Sequence, residues 1–166
     1  DPFLNFIPLA LSNIAHMFVV KRDCFTYFKI PIWKKAFGEN KTYRGLIFLS
    51  AVTAALQFIY GALLSGQVSF DSLLLGFSLG FFYILFELPN SFFKRRLGIA
   101  PGERPEKYKL FFLILDKTDS VFGVCLIFVL WRELTIVHFS VYFVGAFIMH
   151  LLISSLLYKF GIKKGL

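Results

Sequence analysis

LFFLILDKTDSVFGVCLIF, residues 110–128, is the stretch on which the fold turns. It shows no period-two alternation, and it is about twice the roughly ten residues that a membrane β-strand needs. Its length instead suits a helix crossing the hydrocarbon layer, about 20 residues, with every backbone group bonded within the segment. Yet its first half carries Asp116, Lys117 and Asp119. Four further apolar stretches flank it, at residues 3–20, 45–65, 70–86 and 136–158. The stretch at 70–86 is short and the one at 110–130 is charged, but all five are apolar all round.

Composition points the same way. Of 166 residues, 57% are hydrophobic, 19% are aromatic, 23 are Phe and only 17% are charged, against roughly 25% charged in an ordinary soluble domain. Mean hydropathy is +0.70. Too little polar surface remains for a soluble globule, and a disordered chain would be poor in apolar residues and rich in charge. The expected fold class is all-α: a polytopic membrane protein, a five-helix transmembrane bundle forming a single domain over residues 1–166.

The 18 Lys and Arg, against 10 Asp and Glu, give a net charge of +8. Seven of the 18 lie in the connection 21–44, six in the connection 87–109 and three in the tail. Sixteen of 18 therefore fall on one side of a five-span arrangement. The positive-inside rule makes that side cytoplasmic, with the N-terminus outside and the C-terminus cytoplasmic. The chain begins at Asp1, and Phe3–Val20 lacks a basic leader and a small-residue cleavage site, so it reads as a retained span. Cys24 and Cys125 show no metal-ligand spacing. One falls in a cytoplasmic loop and the other in a span, so no disulfide is expected.

Asp116 and Asp119 are three apart and so share one helix face about a turn apart. An ionisable residue inside a span costs at least about 2.5 kcal/mol at its centre, and two neighbouring acids repel. A cation between them relieves both costs. Mg²⁺ suits the site because it takes one or two carboxylates together with substrate phosphates. The alternative is that Asp116, Lys117 and Asp119 sit at the cytoplasmic helix end and pair with nearby Lys or Arg, Lys109 among them. Glu87 closes the third span at the same level and can join the acids or remain a simple interfacial charge.

Two basic clusters share that side. In ELPNSFFKRRLGIAPGERP, Lys94, Arg95 and Arg96 follow Ser91. Arg forks onto phosphate and Lys acts as a point charge, although such runs also set topology or touch anionic headgroups. In FGENKTYRGL, Lys41 and Arg44 flank Thr42 just before the second span. Thr42 reads as a helix cap or a phosphate contact. Asn13 and His16, one turn apart in the first span, read as interhelical hydrogen-bonding residues, and His150 reads the same way. Paired acids beside two basic clusters suit a phosphate-rich substrate presented from the cytoplasm. The competing classes are a small transporter and a lipid-binding scaffold that uses the basic loops without catalysis.

Three segments in this order, FGENKTYRG (37–45), SFFKRRLGIAPG (91–102) and DKTDSVFG (116–123), resemble the CDP-archaeol synthase family and its bacterial relatives. These are integral-membrane cytidylyltransferases distantly related to CDP-diacylglycerol synthases. The resemblance implies transfer of CMP from CTP to a lipid phosphate, giving a CDP-lipid and pyrophosphate. It implies Mg²⁺ as cofactor on Asp116 and Asp119, with Glu87 as a further candidate ligand. It also implies Lys94 and Arg95 as catalytic phosphate-handling residues, and Lys41, Thr42, Arg44, Ser91 and Arg96 as substrate-binding residues. The implied partners are CTP, a lipid phosphate of phosphatidic or archaetidic acid type and membrane lipids, with no nucleic acid. The implied location is the cell membrane, with the active site at its cytoplasmic face. Glu87, and Lys117 and Thr118 between the aspartates, depart from the usual archaeal pattern, which leaves a diacyl lipid phosphate at least as well matched as an archaeal one.

Overall fold

A computed structural model describes residues 2–66, 69–103 and 108–162. Arg104, Lys107, Lys163 and Lys164, which entered the charge count, lie outside them, as does the side chain of Lys109. The described residues are all-α: α1 (Ile7–Lys21), the short α2 (Lys34–Phe37), α3 (Tyr43–Ser65), α4 (Phe70–Arg96), α5 (Lys109–Trp131) and α6 (Ile136–Lys159), with a 3₁₀ turn at Pro2–Phe6 leading into α1. Neighbour packing runs α1–α3–α4–α5–α6 and back to α1, and α4 also touches α1. The long helices therefore form a closed bundle.

Local sequence sets the boundaries. Thr42 caps α3 by accepting from the Gly45 amide at 3.5 Å, and Thr135 with His138 forms a capping box at the start of α6. Among the described residues, four helices are long and apolar enough to cross a membrane: Leu4–Lys21, Tyr43–Leu64, Phe70–Arg96 and Ile136–Lys159. The α5 helix matches them in length but carries Asp116, Lys117 and Asp119 in its body. The protein is a multi-pass membrane bundle in which α5 is polar on its inner side.

One boundary differs from expectation. The third apolar stretch stops at Phe86, but α4 continues through Pro89 to Arg96. Proline removes one backbone donor, yet membrane helices tolerate it where neighbours re-satisfy the freed carbonyl. Lys94, Arg95 and Arg96 then occupy the last turn, where the helix dipole favours cations. Residues expected on a loop are thereby fixed on a helix.

Apolar packing holds the half of the bundle away from the charges. Phe6, Phe128 and Tyr142 meet with ring centroids 5.0–6.1 Å apart. Leu75, Leu79, Val124 and Cys125 fill in around them. Two polar side chains inside this half are hydrogen-bonded: Ser12 donates to the Pro8 carbonyl at 2.7 Å, and Gln57 donates to Asn5 at 3.0 Å. Val137, Val141, Val144, Ile148 and Leu152 of α6 are exposed, as a lipid-facing surface requires. Cys24 and Cys125 are both free.

Helices α3 and α4 approach closely, backbone against backbone. A Cβ at Gly80 would lie 2.6 Å from the Leu49 carbonyl oxygen, and one at Gly76 would lie 2.6 Å from that of Thr53. Small residues allow such backbone contact between membrane helices. Gly80→Ala is expected to cost about 1–3 kcal/mol through overpacking. It should lower the melting temperature in detergent, and an unchanged melting curve would refute this packing account.

Candidate functional site

A cavity of about 660 Å³ opens among α1, α4, α5 and α6, with residues of the first connection (Asn40, Lys41) and of the segment after α4 (Pro101–Glu103) at its rim. One stripe of α4 builds a polar and charged wall. Glu87, Asn90, Ser91 and Lys94 recur at three- and four-residue steps, so the helix presents them together. This register exists only because α4 continues past Pro89.

Asn90 joins the two acids of α5. Its side-chain amide donates to Asp116 at 2.7 Å and to Asp119 at 2.8 Å. The Ser120 amide adds a bond to Asp119 at 2.6 Å. Asp116 also pairs with Lys94, whose buried ammonium lies 5.3 Å from the centroid of the Phe112 ring. The shared helix face expected of Asp116 and Asp119 is thus turned toward α4. The sequence offered Lys109 as a basic partner, but the described partner is Lys94, on a different helix.

Lys41 reaches the same wall from the first connection. An antiparallel bridge between Pro31 and Thr42 pins this loop, with backbone bonds of 2.9 Å from Ile32 to Lys41 and from Tyr43 to Ile30. Lys41 pairs with Glu87. Burial acts to lower the Lys41 pKa, but the Glu87 carboxylate, with Asp119 and Asp116 behind it, outweighs burial and holds it above the ordinary lysine range. The ammonium therefore stays charged at physiological pH.

Arg95 differs from these lysines. Its Nε and Nη1 are buried, have no hydrogen-bond partner among the described residues, and belong to a side chain that lines the cavity. Buried polar groups are normally bonded, so an exception asks for a ligand. A guanidinium presents a fork that matches phosphate.

Other expected contacts lie elsewhere. Arg44 does not line the cavity. Its buried guanidinium donates to Asp23 at 2.8 Å and to the Cys24 carbonyl at 3.0 Å. Hydrogen bonds from Lys29 and Arg44 hold the Asp23 carboxyl below its ordinary pKa. Arg96 is exposed, with its guanidinium carbon 5.0 Å from the centroid of the Phe92 ring, and Thr42 serves as the α3 cap. Asn13 donates to the Tyr83 hydroxyl at 3.2 Å, the interhelical bond expected of it. Asn13, His16 and His150 nevertheless all line the cavity. The sequence reading missed Asn90 and Tyr83. Asn90 lies three residues after Glu87 and four before Lys94, a spacing that becomes informative once helix is allowed past Pro89.

The donors suit a hard cation. Two carboxylates converge on one amide, and the Asn90 amide oxygen is buried without a partner. Oxygen-only ligands of this kind fit Mg²⁺. Glu87 is held by Lys41, and no three-residue group of His, Cys, Asp or Glu able to hold a metal occurs among the described residues.

Comparison with known proteins points to one family. No solved structure matches the chain. CDP-archaeol synthase of Sulfurisphaera tokodaii is 25% identical over 162 residues, covering 96% of this chain and 91% of the relative. The Saccharolobus solfataricus enzyme of the same name is 31% identical over 130 residues, covering 78% of this chain and 72% of the relative. That of Thermococcus onnurineus is 37% identical over 76 residues, covering 42% and 44%. A family profile described as CarS-like, CDP-archaeol synthase, matches residues 29–165, a span that contains the whole α4–α5 wall and Lys41. The chain belongs to this CDP-archaeol synthase family.

Proposed function

We propose that this protein is a cytidylyltransferase that moves CMP from CTP to a membrane lipid phosphate, releasing pyrophosphate and forming a CDP-lipid. One observation supports it most directly: the unpartnered Arg95 guanidinium in a cavity whose floor carries Asp116 and Asp119. A phosphate oxygen of the lipid attacks the α-phosphorus of CTP, and the bond to the β,γ-pyrophosphate breaks. A phosphate monoester dianion is itself a nucleophile, so no Ser or Cys intermediate is needed. The protein has to align two anions and offset the charge that builds between them.

Arg95 binds phosphate oxygens through its two free nitrogens. Lys94 and Lys41 each give one donor to a carboxylate and keep others for phosphate, since an ammonium has three. Ser91, on the same α4 stripe, adds a hydroxyl. Asn90 keeps Asp116 and Asp119 oriented. Asp116 and Asp119 would hold Mg²⁺, which offsets phosphate repulsion and polarises the phosphoryl group. On this reading Glu87 acts through Lys41, and Arg44, Thr42 and Arg96 act by fixing the loop and helix ends.

The whole chain acts as one membrane domain on this reading, and the basic asymmetry places the cavity mouth at the cytoplasmic face with the N-terminus outside. An N-terminal tag on protein in sealed cells is expected to resist cytoplasmic labelling and to react with impermeant external reagents. Labelling from the cytoplasm would overturn the orientation. The reaction is tested by supplying purified protein with CTP, Mg²⁺ and either phosphatidic or archaetidic acid, then measuring pyrophosphate and CDP-lipid. Equal amounts of both products are expected with at least one lipid. No CTP-dependent pyrophosphate with either lipid would refute it, and would return weight to a lipid-binding scaffold.

A further inference from the structure

The reaction joins two phosphates, so the cavity must hold two anions at once. Lys41, Lys94 and Arg95 all reach it from α4 and the first connection. A further cation reaches it from elsewhere. Lys117 of α5 is 1% exposed and lines the cavity, and its ammonium donates to the Ser154 hydroxyl of α6 at 2.7 Å. Burying an ammonium in a membrane helix costs several kcal/mol, and such residues mark ion or substrate sites. His150, Ser154 and Leu157 of α6 recur at steps of four and three, so this stripe forms the cavity wall that carries the Lys117 bond.

An apolar crevice adjoins that wall. It is lined by Phe6, Leu9, Val124, Ala146, Met149 and Ile153, and it shares Asn13, Tyr83 and His150 with the polar cavity. His150 stands one turn from Ser154. The apolar side of the cavity therefore lies at His150, and a lipid headgroup entering from that side would meet Ser154 and Lys117. On the α4 side the same entrance is bordered by Tyr83, whose next turn carries the Glu87 carboxylate, whereas the next turn of α6 after His150 carries Ser154 with its bond from Lys117.

Building on the cytidylyltransferase reading, we propose that Lys117, steadied by Ser154, binds the phosphate of the lipid substrate, while Lys41, Lys94 and Arg95 bind the triphosphate of CTP. Lys117 thus holds the nucleophile, and the two walls divide the substrates.

Purified full-length protein carrying Lys117→Met tests this. Methionine is close to the lysine stem in volume and removes the ammonium together with its bond to Ser154. The KM for lipid phosphate is expected to rise at least about tenfold, the loss that follows from one charge-assisted hydrogen bond. The KM for CTP should stay within about twofold, and Lys117→Arg should recover most of the lipid affinity. A readout without turnover is calorimetric binding of soluble dihexanoyl phosphatidic acid, with dihexanoyl phosphatidylcholine as the control. Lys117→Met should weaken the former at least about tenfold and leave CTP binding in place.

A rise in the KM for CTP that equals or exceeds the rise for lipid would overturn the assignment. Unchanged KM values with a lowered melting temperature would do so too, because Lys117 would then only brace α5 against α6. If Lys117→Met does not accumulate, Ser154→Ala is read by the same pair of constants, since it removes the Ser154 bond and keeps the ammonium. Should wild-type protein bind phosphatidic acid through Lys117 yet form no CDP-lipid, the functional reading fails and this assignment stands.

Discussion

Asp119→Asn is expected to abolish CDP-lipid formation, by at least about a hundredfold, in protein that still inserts and melts near the wild-type temperature. The substitution keeps the side chain's shape. An Asn oxygen can still accept from the Ser120 amide, which bonds Asp119 at 2.6 Å, or from Asn90, which bonds it at 2.8 Å. What disappears is one of two negative charges in a buried cluster. If that charge serves to hold a cation against phosphates, the transition state loses it and the fold does not. If it were only a structural countercharge, the melting temperature would fall while residual enzyme kept its specific activity. CDP-lipid formation per folded molecule, set against the detergent melting curve, separates these outcomes. Near wild-type turnover would remove Asp119 from the metal site.

Arg95→Ala is the second large effect, and its logic is the reverse of an ordinary core substitution. Deleting a buried, bonded side chain usually leaves an unsatisfied partner behind. Here Nε and Nη1 have no partner among the described residues, so their removal strands no acceptor. Stability is expected to change little. Activity is expected to fall roughly 10- to 100-fold, corresponding to one or two charge-assisted hydrogen bonds to phosphate at about 1.5–3 kcal/mol each. Lys at this position should restore only part of the loss, because it gives a point charge without the fork. An Arg95→Ala enzyme with unchanged KM and kcat would show that the guanidinium meets no substrate. Arg44→Ala offers the contrast. Its Nη1 donates to Asp23 and to the Cys24 carbonyl, and it does not line the cavity, so its loss should lower stability more than it alters either KM.

Much of the bundle is legible in the sequence because membrane helices are governed by local rules. Each long apolar stretch must satisfy its own backbone, so its length alone identifies a helix. The α5 helix needed one more step, since three charges interrupt it and only the apolar residues around them mark it as a span. The end of α4 was not legible. Polar and basic residues after Phe86, with Pro89 among them, read locally as a loop, and neighbouring helices carry the chain on as helix to Arg96.

The site divides along the same line. Asp116 and Asp119 stand three apart, and that spacing by itself places them on one face. Lys41, Lys94 and Arg95 stand out as basic residues near one membrane level. No rule of spacing, however, distinguishes Arg95 from Arg96, or Lys41 from Arg44. The direction of each side chain decides between them. Arg95 is turned into the cavity with two nitrogens unbonded, whereas Arg96 lies over Phe92. Lys41 meets Glu87 across 46 residues of chain, whereas Arg44 is drawn back to Asp23. Asn90 falls in the connection 87–109 by sequence, and helix α4 sets it between the two acids.

By itself, then, the sequence determined that the chain crosses a membrane as a helical bundle, where its charge is concentrated and which acids share a face. These follow from period, length and composition, which are local properties. Only the tertiary structure decided which cations enter the cavity, that Asn90 joins Asp116 to Asp119, and that Lys117 meets Ser154 on α6 next to the apolar crevice. Those facts depend on how helices far apart in the chain rotate against one another, and backbone contact at Gly76 and Gly80 with packing around Phe128 fixes that rotation.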